Sequence, residues 1–450
     1  MFKRACPVLA LLLLLGLFLA IQPLAMAQEV QGASVAASEE RQTIVPAWDG
    51  SVGSGTGGGH RDLATDAEWD ALQRINALRL LHGQAPLAMA EQLQPVAALR
   101  AFELDVNFSQ TRPNEEAWYT AIDEAGIFYG TASEVIARPA VSGLRAVELW
   151  ANNSDTRAVL LGESYTHIAL AHNIRTDSWC ALFIEGEPHR SLSVRPRGTH
   201  LLSMGGTLES LELIIRVRGS GDFFSYLPLK AAMVPDFDPY RAGYHDPLFS
   251  LGEVSVPLSI FIDFYDVDET HRYYDHIRFA VINRLFNGVS REKFDPDAPM
   301  TRAMFVTAMG RMARQMGLPI EGDHSIFADV LDDVWYTPYI GWAAERGLAQ
   351  GYAGYFRVYD PITREQMATF LKRFLDYLEI ELIPEEERPF FRDRFLVSAW
   401  AVESVDWAVS LGLINLIDRS FRGWEDALRS EVAHAMTVLI RDYGINQDRE

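Results

Sequence analysis

Apolar residues recur at three-residue steps soon after residue 62, and this spacing places them on one face of a helix. Five residues follow it: Trp69, Leu72, Ile75, Leu78 and Leu81. Residues 92–106 have the same character, whereas 165–171 and 179–184 are short apolar runs typical of strands. The sequence therefore predicts that residues 62–195 pack helices on a sheet in an α+β arrangement.

Short β-branched runs dominate the next part of the chain. Residues 211–218 and 254–261 alternate in part between apolar and polar side chains, and glycine and proline punctuate the stretch between them. Because strands separated by turn residues are typical of sandwiches, the pattern predicts a small β-sandwich across residues 196–262.

The chain begins with the pattern of a secretory signal. Lys3 and Arg4 precede an apolar run at 8–21, and Ala25 and Ala27 supply the small residues that a signal peptidase requires. The pattern predicts a signal peptide at 1–27 and a secreted protein. An uncleaved membrane anchor is the alternative, but the run of 14 residues is shorter than the roughly 20 that span a bilayer.

Residues 28–61 are low in aromatic side chains and end in a stretch of glycine and serine. This composition is typical of a flexible linker. No later apolar run is long enough to cross a bilayer, so we expect no membrane span after the signal is removed.

The strongest pattern is an internal repeat in the C-terminal part. Three units open on a phenylalanine, at intervals of 63 and 64 residues: Phe264, Phe327 and Phe391. An arginine follows each phenylalanine after 37 or 38 residues: Arg302, Arg364 and Arg429. Repeats of this length indicate packed copies of one supersecondary unit, and each copy here predicts a helix, a loop and a second helix. The repeats are predicted at 263–316, 325–378 and 389–443.

A threonine precedes the arginine in the first two repeats, at the start of the second predicted helix. Thr301 and Thr363 are expected to be N-caps, which accept hydrogen bonds from the first turn. The arginines are harder to explain, because a cation at a helix N-terminus opposes the helix dipole. An internal carboxylate or an external anion held by the guanidinium would offset this cost, and the residues alone leave both open.

Charge and cysteine content narrow the possible partners. The 450 residues carry a formal net charge of −21, which repels the phosphate backbone and disfavours nucleic-acid binding. The two cysteines are Cys6 and Cys180, so removal of the signal leaves Cys180 without an internal disulfide partner.

Residues 264–441 resemble three S-layer homology (SLH) domains in tandem, through the opening Phe-x-Asp, the turn glycine and the Thr-Arg helix start. The resemblance implies an all-α triplet with a pseudo-threefold arrangement. It also implies binding to an anionic secondary cell-wall polysaccharide, which often carries a pyruvyl ketal. The implied glycan-binding residues are Arg302, Arg364, Arg429, Thr301, Thr363, Gly288, Gly351 and Glu431.

The third repeat departs from the family pattern. It has Leu428 in place of threonine, Arg394 in place of valine and Leu416 in place of glycine. Its groove is therefore expected to be degenerate, and the first two grooves are preferred as binding sites. Aspartates of the Phe-x-Asp motif, at 266, 329 and 393, are expected to stabilise structure instead of touching glycan.

Residues 67–190 resemble the CAP superfamily in its bacterial SCP-like form, through an ordered series of short matches such as Phe108-Ser109-Gln110. The resemblance implies an α-β-α sandwich with a cavity at Glu134, Gln110, Thr156 and His167. Relatives have histidines where this chain has Gln110 and Thr156. We therefore expect no catalytic residue, no metal site and no cofactor in this domain, but binding of an unidentified ligand.

Residues 196–262 resemble a bacterial Ig-like domain, whose expected role is spacing. Together these features predict an exported protein anchored to the cell wall, which displays its CAP domain outward. A surface-tethered CAP-type hydrolase acting on peptide or wall is the rival hypothesis. A purely structural S-layer subunit is a third, which the single CAP domain and the modest length disfavour.

Overall fold

The computed structural model describes residues 29–37, 63–221, 223–322, 326–384 and 389–445. The predicted signal peptide lies outside these residues. The chain forms two compact units. The first contains the described residues up to Pro196 together with 213–232 and 250–256, and the second contains 197–212, 233–249 and the described residues from Pro257 onward.

The first unit is built on an eight-stranded sheet. Its strands are β1 (Glu29–Ala37), β2 (Ala88–Ala90), β3 (Thr131–Arg138), β4 (His167–Asn173), β5 (Ser178–Ile184), β6 (Ser191–Arg195), β8 (Ile214–Arg218) and β9 (Phe224–Pro228). Their spatial order is β1-β3-β5-β4-β2-β9-β8-β6, and only the β2–β4 pair among them is parallel. Strand β1 falls where the composition predicts a flexible linker, so part of that segment pairs with the sheet.

Helices cover both faces of this sheet. They are α1 (Asp66–Leu81), α2 (Gln94–Val106), α3 (Thr120–Glu124), α4 (Gly143–Asn152) and α5 (Ser154–Leu160). Side chains of α1, α4 and α5 form one buried cluster with alternate residues of β3, β4 and β5. Side chains of α2 and α3 form a second cluster with the other residues of the same strands. Because successive strand residues point to opposite faces, the sheet separates two cores in an α-β-α layering.

The middle of the chain differs from the expected β-sandwich. Strands β8 and β9 continue the sheet of the first unit, where Tyr226 of β9 pairs with Met89 of β2. The hydrogen-bonding edge of an existing sheet satisfies their backbone groups, so they need no second sheet of their own. Residues 196–262 therefore do not form a self-contained Ig-like domain.

The second unit contains a small sheet and six described α-helices. A three-stranded sheet is formed by β7 (His200–Leu202), β10 (Gly243–His245) and β13 (Ile260–Ile262). A hairpin is formed by β11 (Leu248–Leu251) and β12 (Val254–Pro257), and most of its residues, 250–256, belong to the first unit. The helices are α6 (Tyr274–Ile282), α7 (Arg302–Gln315), α8 (Thr337–Glu345), α9 (Arg364–Tyr377), α10 (Val402–Ser410) and α11 (Arg429–Thr437), and a π-helical turn follows at Val438–Asp442.

The six helices form three repeats that close on one another. The second helix of each repeat packs on the first helix of the next: α7 on α8, α9 on α10, and α11 on α6. Backbone hydrogen bonds follow the same cycle, from Met300 N to Ala427 O, from Ala427 N to Ile362 O and from Ile362 N to Met300 O, at 2.8, 2.8 and 2.9 Å. Each repeat therefore bonds to the other two, and one continuous hydrophobic core runs through all three.

Within the described ranges, the helices are all too short or too polar to cross a membrane.

Candidate functional site

Glu134 lies on β3 and is completely buried on the face that α2 covers. Its carboxylate accepts hydrogen bonds from the Arg100 guanidinium, at 2.8 Å from Nε and 3.2 Å from Nη2. Arg100 is also fully buried, and its third nitrogen binds Glu103. Burial by itself disfavours the charged guanidinium, but the charge of Glu134 and these hydrogen bonds outweigh it and raise the pKa of Arg100. The two side chains therefore form a buried ion pair.

Gln110 and Cys180 complete the surroundings of Glu134. The Gln110 side chain donates to the backbone carbonyl of Glu134 at 3.1 Å, and the Cys180 thiol lies 3.6 Å from its carboxylate. Cys180 is fully buried, and this burial, with the neighbouring Glu134 charge, raises the pKa of the thiol well above its usual value. Since only the thiolate is a strong nucleophile, these surroundings disfavour a nucleophilic role for Cys180.

The ion pair extends into a larger charged network. Arg112 binds Glu103 at 3.0 Å and Glu124 at 2.7 Å, so the second carboxylate of the cluster has a cation of its own. Each buried charge within this network therefore has a partner of opposite charge. Buried charges are stable away from water only when they are paired in this way. The network ties α2 to β3 and to the segment around α3.

The other two predicted cavity residues, Thr156 and His167, do not lie beside Glu134. The Thr156 hydroxyl donates to the Trp150 carbonyl at 2.7 Å, and Trp150 belongs to the core on the opposite face of the sheet. His167 shares the face of Glu134, but it starts β4, and β5 separates that strand from β3. Its ring contacts His189 and Phe223, at centroid distances of 5.0 and 5.2 Å. The structure therefore brings Gln110 to Glu134 but brings neither Thr156 nor His167 to it.

This arrangement limits the chemistry that Glu134 can perform. A general base must reach a proton on a bound substrate, and a carboxylate that is fully buried and bound to a guanidinium does not. Across the described part of the chain, no group of three or more histidine, cysteine, aspartate or glutamate side chains is arranged to hold a metal ion. The residues around Glu134 support structure.

The second candidate site is formed by the three repeat arginines, which occupy equivalent places in the cycle. Each guanidinium donates to two backbone carbonyls of the following repeat: Arg302 to Phe356 and Gln350, Arg364 to Phe421 and Asn415, and Arg429 to Phe294 and Asn287. These bonds run between 2.6 and 3.1 Å. The cation at each helix start is therefore stabilised by carbonyl oxygens, and at Arg364 the carboxylate of Glu431 is added to them.

The caps of these helices follow the expected pattern. Thr301 and Thr363 accept from the backbone N–H groups of Met304 and Gln366 at 3.3 Å, so the N-cap prediction is confirmed. In the third repeat Leu428 has no hydroxyl, and the Glu431 carboxylate accepts from the Leu428 N–H at 3.1 Å instead.

The motif aspartates have a structural role, as expected. Asp329 accepts from the backbone N–H groups of Phe356 and Arg357 at 2.7 and 2.6 Å. Asp266 and Asp393 make the same contacts with the equivalent loops. Each aspartate therefore holds the loop whose carbonyls receive an arginine.

The predicted turn glycines allow close packing. A Cβ on Gly288 would lie 2.7 Å from the Phe264 ring, and one on Gly351 would lie 2.6 Å from the Tyr355 carbonyl oxygen. Both distances are shorter than carbon contacts allow, so these positions require glycine for steric reasons.

The three arginines differ in what else they contact. Arg364 is buried and pairs with the carboxylate of Glu431. Arg429 is also buried, its Nη1 lies 3.8 Å from the Met304 sulfur, and burial lowers its pKa to about 10. Arg302 is half-buried, and its Nη1 hydrogen-bonds to nothing in the described ranges.

The loops facing these arginines also differ in charge and aromatic content. The loop at Arg302 exposes Arg357 and Tyr359, and the latter has 75% of its surface accessible. The corresponding positions opposite Arg429 are Asp295 and Asp297, which are both exposed acids. We give the name first groove to the set of residues Arg302, Arg357 and Tyr359.

Models of known protein families match two parts of the chain. Residues 263–304 and 327–368 match the S-layer homology domain, and residues 72–183 match the cysteine-rich secretory protein family, CAP. The chain contains a CAP domain and two SLH domains. SLH domains indicate attachment at the cell surface, and a CAP domain indicates an extracellular role. The third repeat and an Ig-like segment are not among these matches.

Curated relatives match this chain over only part of their own length. An endoglucanase of Bacillus sp. (strain KSM-635) is 31% identical over 180 residues, which is 39% of this chain and 18% of the relative. A cell surface protein of Thermoanaerobacter kivui is 30% identical over 121 residues, 26% of this chain and 16% of the relative. The chain thus spans less than a fifth of the length of either protein.

Solved structures resemble about a quarter of the chain. An extracellular protein containing an SCP domain from Bacillus anthracis str. Ames has 22% identity, covering 26% of this chain and 40% of that one, with a TM-score of 0.25. A cysteine-rich secretory protein from Staphylococcus aureus has 18% identity, covers 27% of this chain and 38% of that one, and has a TM-score of 0.24.

Sequence reasoning missed the partner of Glu134. That partner, Arg100, has no role in the cavity that the CAP resemblance implies. One indication was available, since Arg100 falls within the apolar face of α2, between Val96, Ala97 and Leu104. A buried cation in such a position requires polar acceptors, and Glu134 is the acid that the CAP resemblance singles out.

Proposed function

We propose that this chain is a cell-wall-attached surface protein whose repeats bind an anionic secondary cell-wall polysaccharide. The two SLH matches support attachment at the surface. We assign the third repeat to the same domain type because its arginine and its motif aspartate make the same contacts as those of the first two. On this proposal the three repeats act as one anchoring module.

The first groove is the proposed binding site. Its guanidinium has one nitrogen left for a ligand, and this observation carries the proposal. Arg302 Nη1 can donate to a carboxylate oxygen of the polymer, such as that of a pyruvyl ketal, while its other two nitrogens hold the groove together. Arg357 supplies a second guanidinium, which lies 3.8 Å from the exposed Asp360 carboxylate, and the exposed Tyr359 ring offers a flat apolar surface to a sugar.

The two remaining grooves are poorer sites for an anion. In the second groove Glu431 already neutralises Arg364, whereas the equivalent side chain facing Arg302 is the uncharged Gln366. In the third, Asp295 and Asp297 oppose an approaching anion, and Arg429 is buried. The sequence predicts that the first two grooves bind the polymer. Of these two, we propose only the first as a binding site.

The CAP domain is proposed to be displayed for recognition of a ligand and not for hydrolysis. The buried Arg100–Glu134 pair removes the acid that the hydrolase hypothesis would use as a base. The rival hypothesis of a tethered hydrolase therefore gains no support from the residues around Glu134.

Cosedimentation of the full chain with isolated cell-wall sacculi tests the anchoring proposal. We expect the chain to pellet with intact sacculi and to remain in solution after the secondary polymer is extracted. Arg302→Gln should weaken binding roughly tenfold to a hundredfold, because one charge-assisted hydrogen bond contributes about 1.5–3 kcal/mol.

Arg364→Gln is the matched control, because it also removes two hydrogen bonds to backbone carbonyls of the next repeat, together with the pair to Glu431, in a groove that has its own acid. Circular dichroism first shows that both arginine variants are folded. Arg364→Gln should then bind the sacculi as strongly as the unchanged chain. Tyr359→Ala, which touches no inter-repeat bond, should weaken binding as well. Equal losses in the two arginine variants, or binding that survives polymer extraction, would contradict the proposal.

A further inference from the structure

The outward face of α2 is apolar along its whole length. Its exposed positions are Pro95, Ala98, Leu99, Phe102 and Val106. The exposed fraction is 42% for Leu99, 59% for Phe102 and 71% for Val106, whereas every charged side chain of α2 is buried or half-buried. A surface helix normally presents charged or polar side chains on its outward face, so this face is unusual. We call these five residues the apolar stripe.

A turn of the sheet lies beside the C-terminal half of α2. The Asn173 side chain donates to the Ala101 carbonyl at 3.3 Å, and the Thr176 hydroxyl donates to the Asp105 carboxylate. These two bonds hold the turn between β4 and β5 against the helix, and Ile174 within this turn is 81% exposed. Large exposed apolar patches on soluble proteins mark interaction surfaces. The stripe is therefore a candidate contact surface.

The stripe is complementary in shape to a second copy of itself. Pro95, Ala98, Phe102 and Val106 are separated by three or four residues, which is the spacing of side chains along the seam between two packed helices. In an antiparallel pair of α2 helices whose twofold axis passes at the level of Arg100, each Phe102 lies opposite the partner's Ala98. The large side chain of one copy then meets the small side chain of the other, as close packing requires.

The charges beside the stripe favour the same arrangement. Glu91 is exposed just before α2, where it accepts from the Tyr226 hydroxyl at 3.2 Å, and Arg175 is exposed in the turn at the other end. Neither has a partner of opposite charge among the described residues. Antiparallel packing brings each Arg175 towards the partner's Glu91, whereas parallel packing would place like charges side by side. The charges therefore select the antiparallel pair.

We propose that the apolar stripe is a self-association surface, through which two copies of this chain pair by antiparallel packing of their α2 helices. A second copy is the occupant because the surface fits itself in both shape and charge. Its five residues are fewer than the roughly 20–30 that each partner contributes to a standard interface, so the association is weak and reversible. This inference is independent of what the first groove binds.

Sedimentation velocity of the full chain at increasing concentration tests the inference. At about 0.15 M salt, which screens the repulsion between two acidic chains beyond about 8 Å, we expect a monomer to convert into a dimer in the micromolar range. Phe102→Glu should weaken the association at least about thirtyfold, because a charged side chain replaces a central aromatic one. Val141→Glu is the matched control and should associate like the unchanged chain, because Val141 is a 75% exposed apolar residue in the loop before α4.

Exchange of the two charges tests the arrangement without changing the stripe. Arg175→Glu and Glu91→Arg should each weaken the dimer by a few-fold, as expected for an exposed ion pair, and the double variant should restore it. The inference is overturned if the unchanged chain stays monomeric, if Val141→Glu weakens association as much as Phe102→Glu, or if the double variant associates no better than the single ones. A monomer in which Phe102→Cys resists thiol labelling would show that another part of the same chain covers the stripe, and this result would also overturn the inference.

Discussion

Replacing Glu134 with methionine should destabilise the CAP domain by about 3–5 kcal/mol, because it leaves the Arg100 guanidinium buried beside an apolar side chain. The magnitude follows from the geometry: both side chains have no exposed surface, and two of the guanidinium nitrogens bind this carboxylate. Arg100→Met should cost a similar amount, since it leaves Glu134 buried without a cation.

The double variant separates this effect from simple loss of packing. With Arg100→Met and Glu134→Met together, no unpaired charge remains, and Glu103 still has Arg112. We therefore expect the double variant to be more stable than either single one, with a coupling free energy of at least about 3 kcal/mol.

Hydrogen exchange of the β3 amides, followed by mass spectrometry, is the appropriate assay. It reports opening of the sheet that contains Glu134 without requiring that both compact units unfold together. If each single variant changes the protection of residues 131–138 by less than about 1 kcal/mol, or if the two effects simply add, the ion pair does not exist as described.

Two further predictions concern a buried histidine and a half-buried aspartate. Burial, with a smaller effect of His189, lowers the pKa of His167 from 6.5 to about 3. Between these two pKa values the unfolded chain binds a proton that the folded chain does not bind. The free energy of unfolding is therefore greatest above pH 6.5, and it is lower by about 2 kcal/mol at about pH 5. Urea unfolding of His167→Gln should lack this decrease, and an unchanged pH dependence would contradict the reasoning. Asp329→Ala should cost about 3 kcal/mol, because the N–H groups of Phe356 and Arg357 lose charged acceptors. Thermal unfolding checks it against the exposed Asp360→Asn as control, and equal midpoints would refute it.

Local patterns predicted most of the helices and strands because each depends on neighbours in sequence. The three-residue spacing of apolar side chains predicted α1, and the short apolar runs predicted β4 and β5. The Thr-Arg pairs predicted the caps of α7 and α9 for the same reason. A cap needs only the three or four residues that follow it.

The β-rich middle segment was predicted as strands but assigned to the wrong sheet. Residues 214–218 are β-branched and form a strand wherever they find a partner. The choice of partner depends on which edge is free, and the edge offered by β2 comes from a segment far away in sequence. Strand propensity carries no information about that distance.

Buried charge was the least predictable feature. Arg79 and Arg100 look alike in sequence, each on the apolar face of a helix. In the structure Arg79 binds the carbonyls of Ala85, Leu160 and Gly162, whereas Arg100 binds a carboxylate. A guanidinium accepts either type of partner, so its environment follows from the packing of distant segments.

The repeats show the same difference between features that the sequence reveals and features that only the folded structure decides. Its period, helix starts, capping threonines and turn glycines were readable from the chain, because they recur at fixed offsets. The cyclic order of the repeats was not, nor was the fact that each arginine bonds to the next repeat instead of its own. The hydrogen-bond partners of each guanidinium depend on side chains that meet only when the ring closes: Glu431 pairs with Arg364, whereas Arg302 donates to two backbone carbonyls. Short-range geometry is set along the chain, but the pairing of buried polar groups is set by close packing across it, and that packing distinguishes three otherwise equivalent sites.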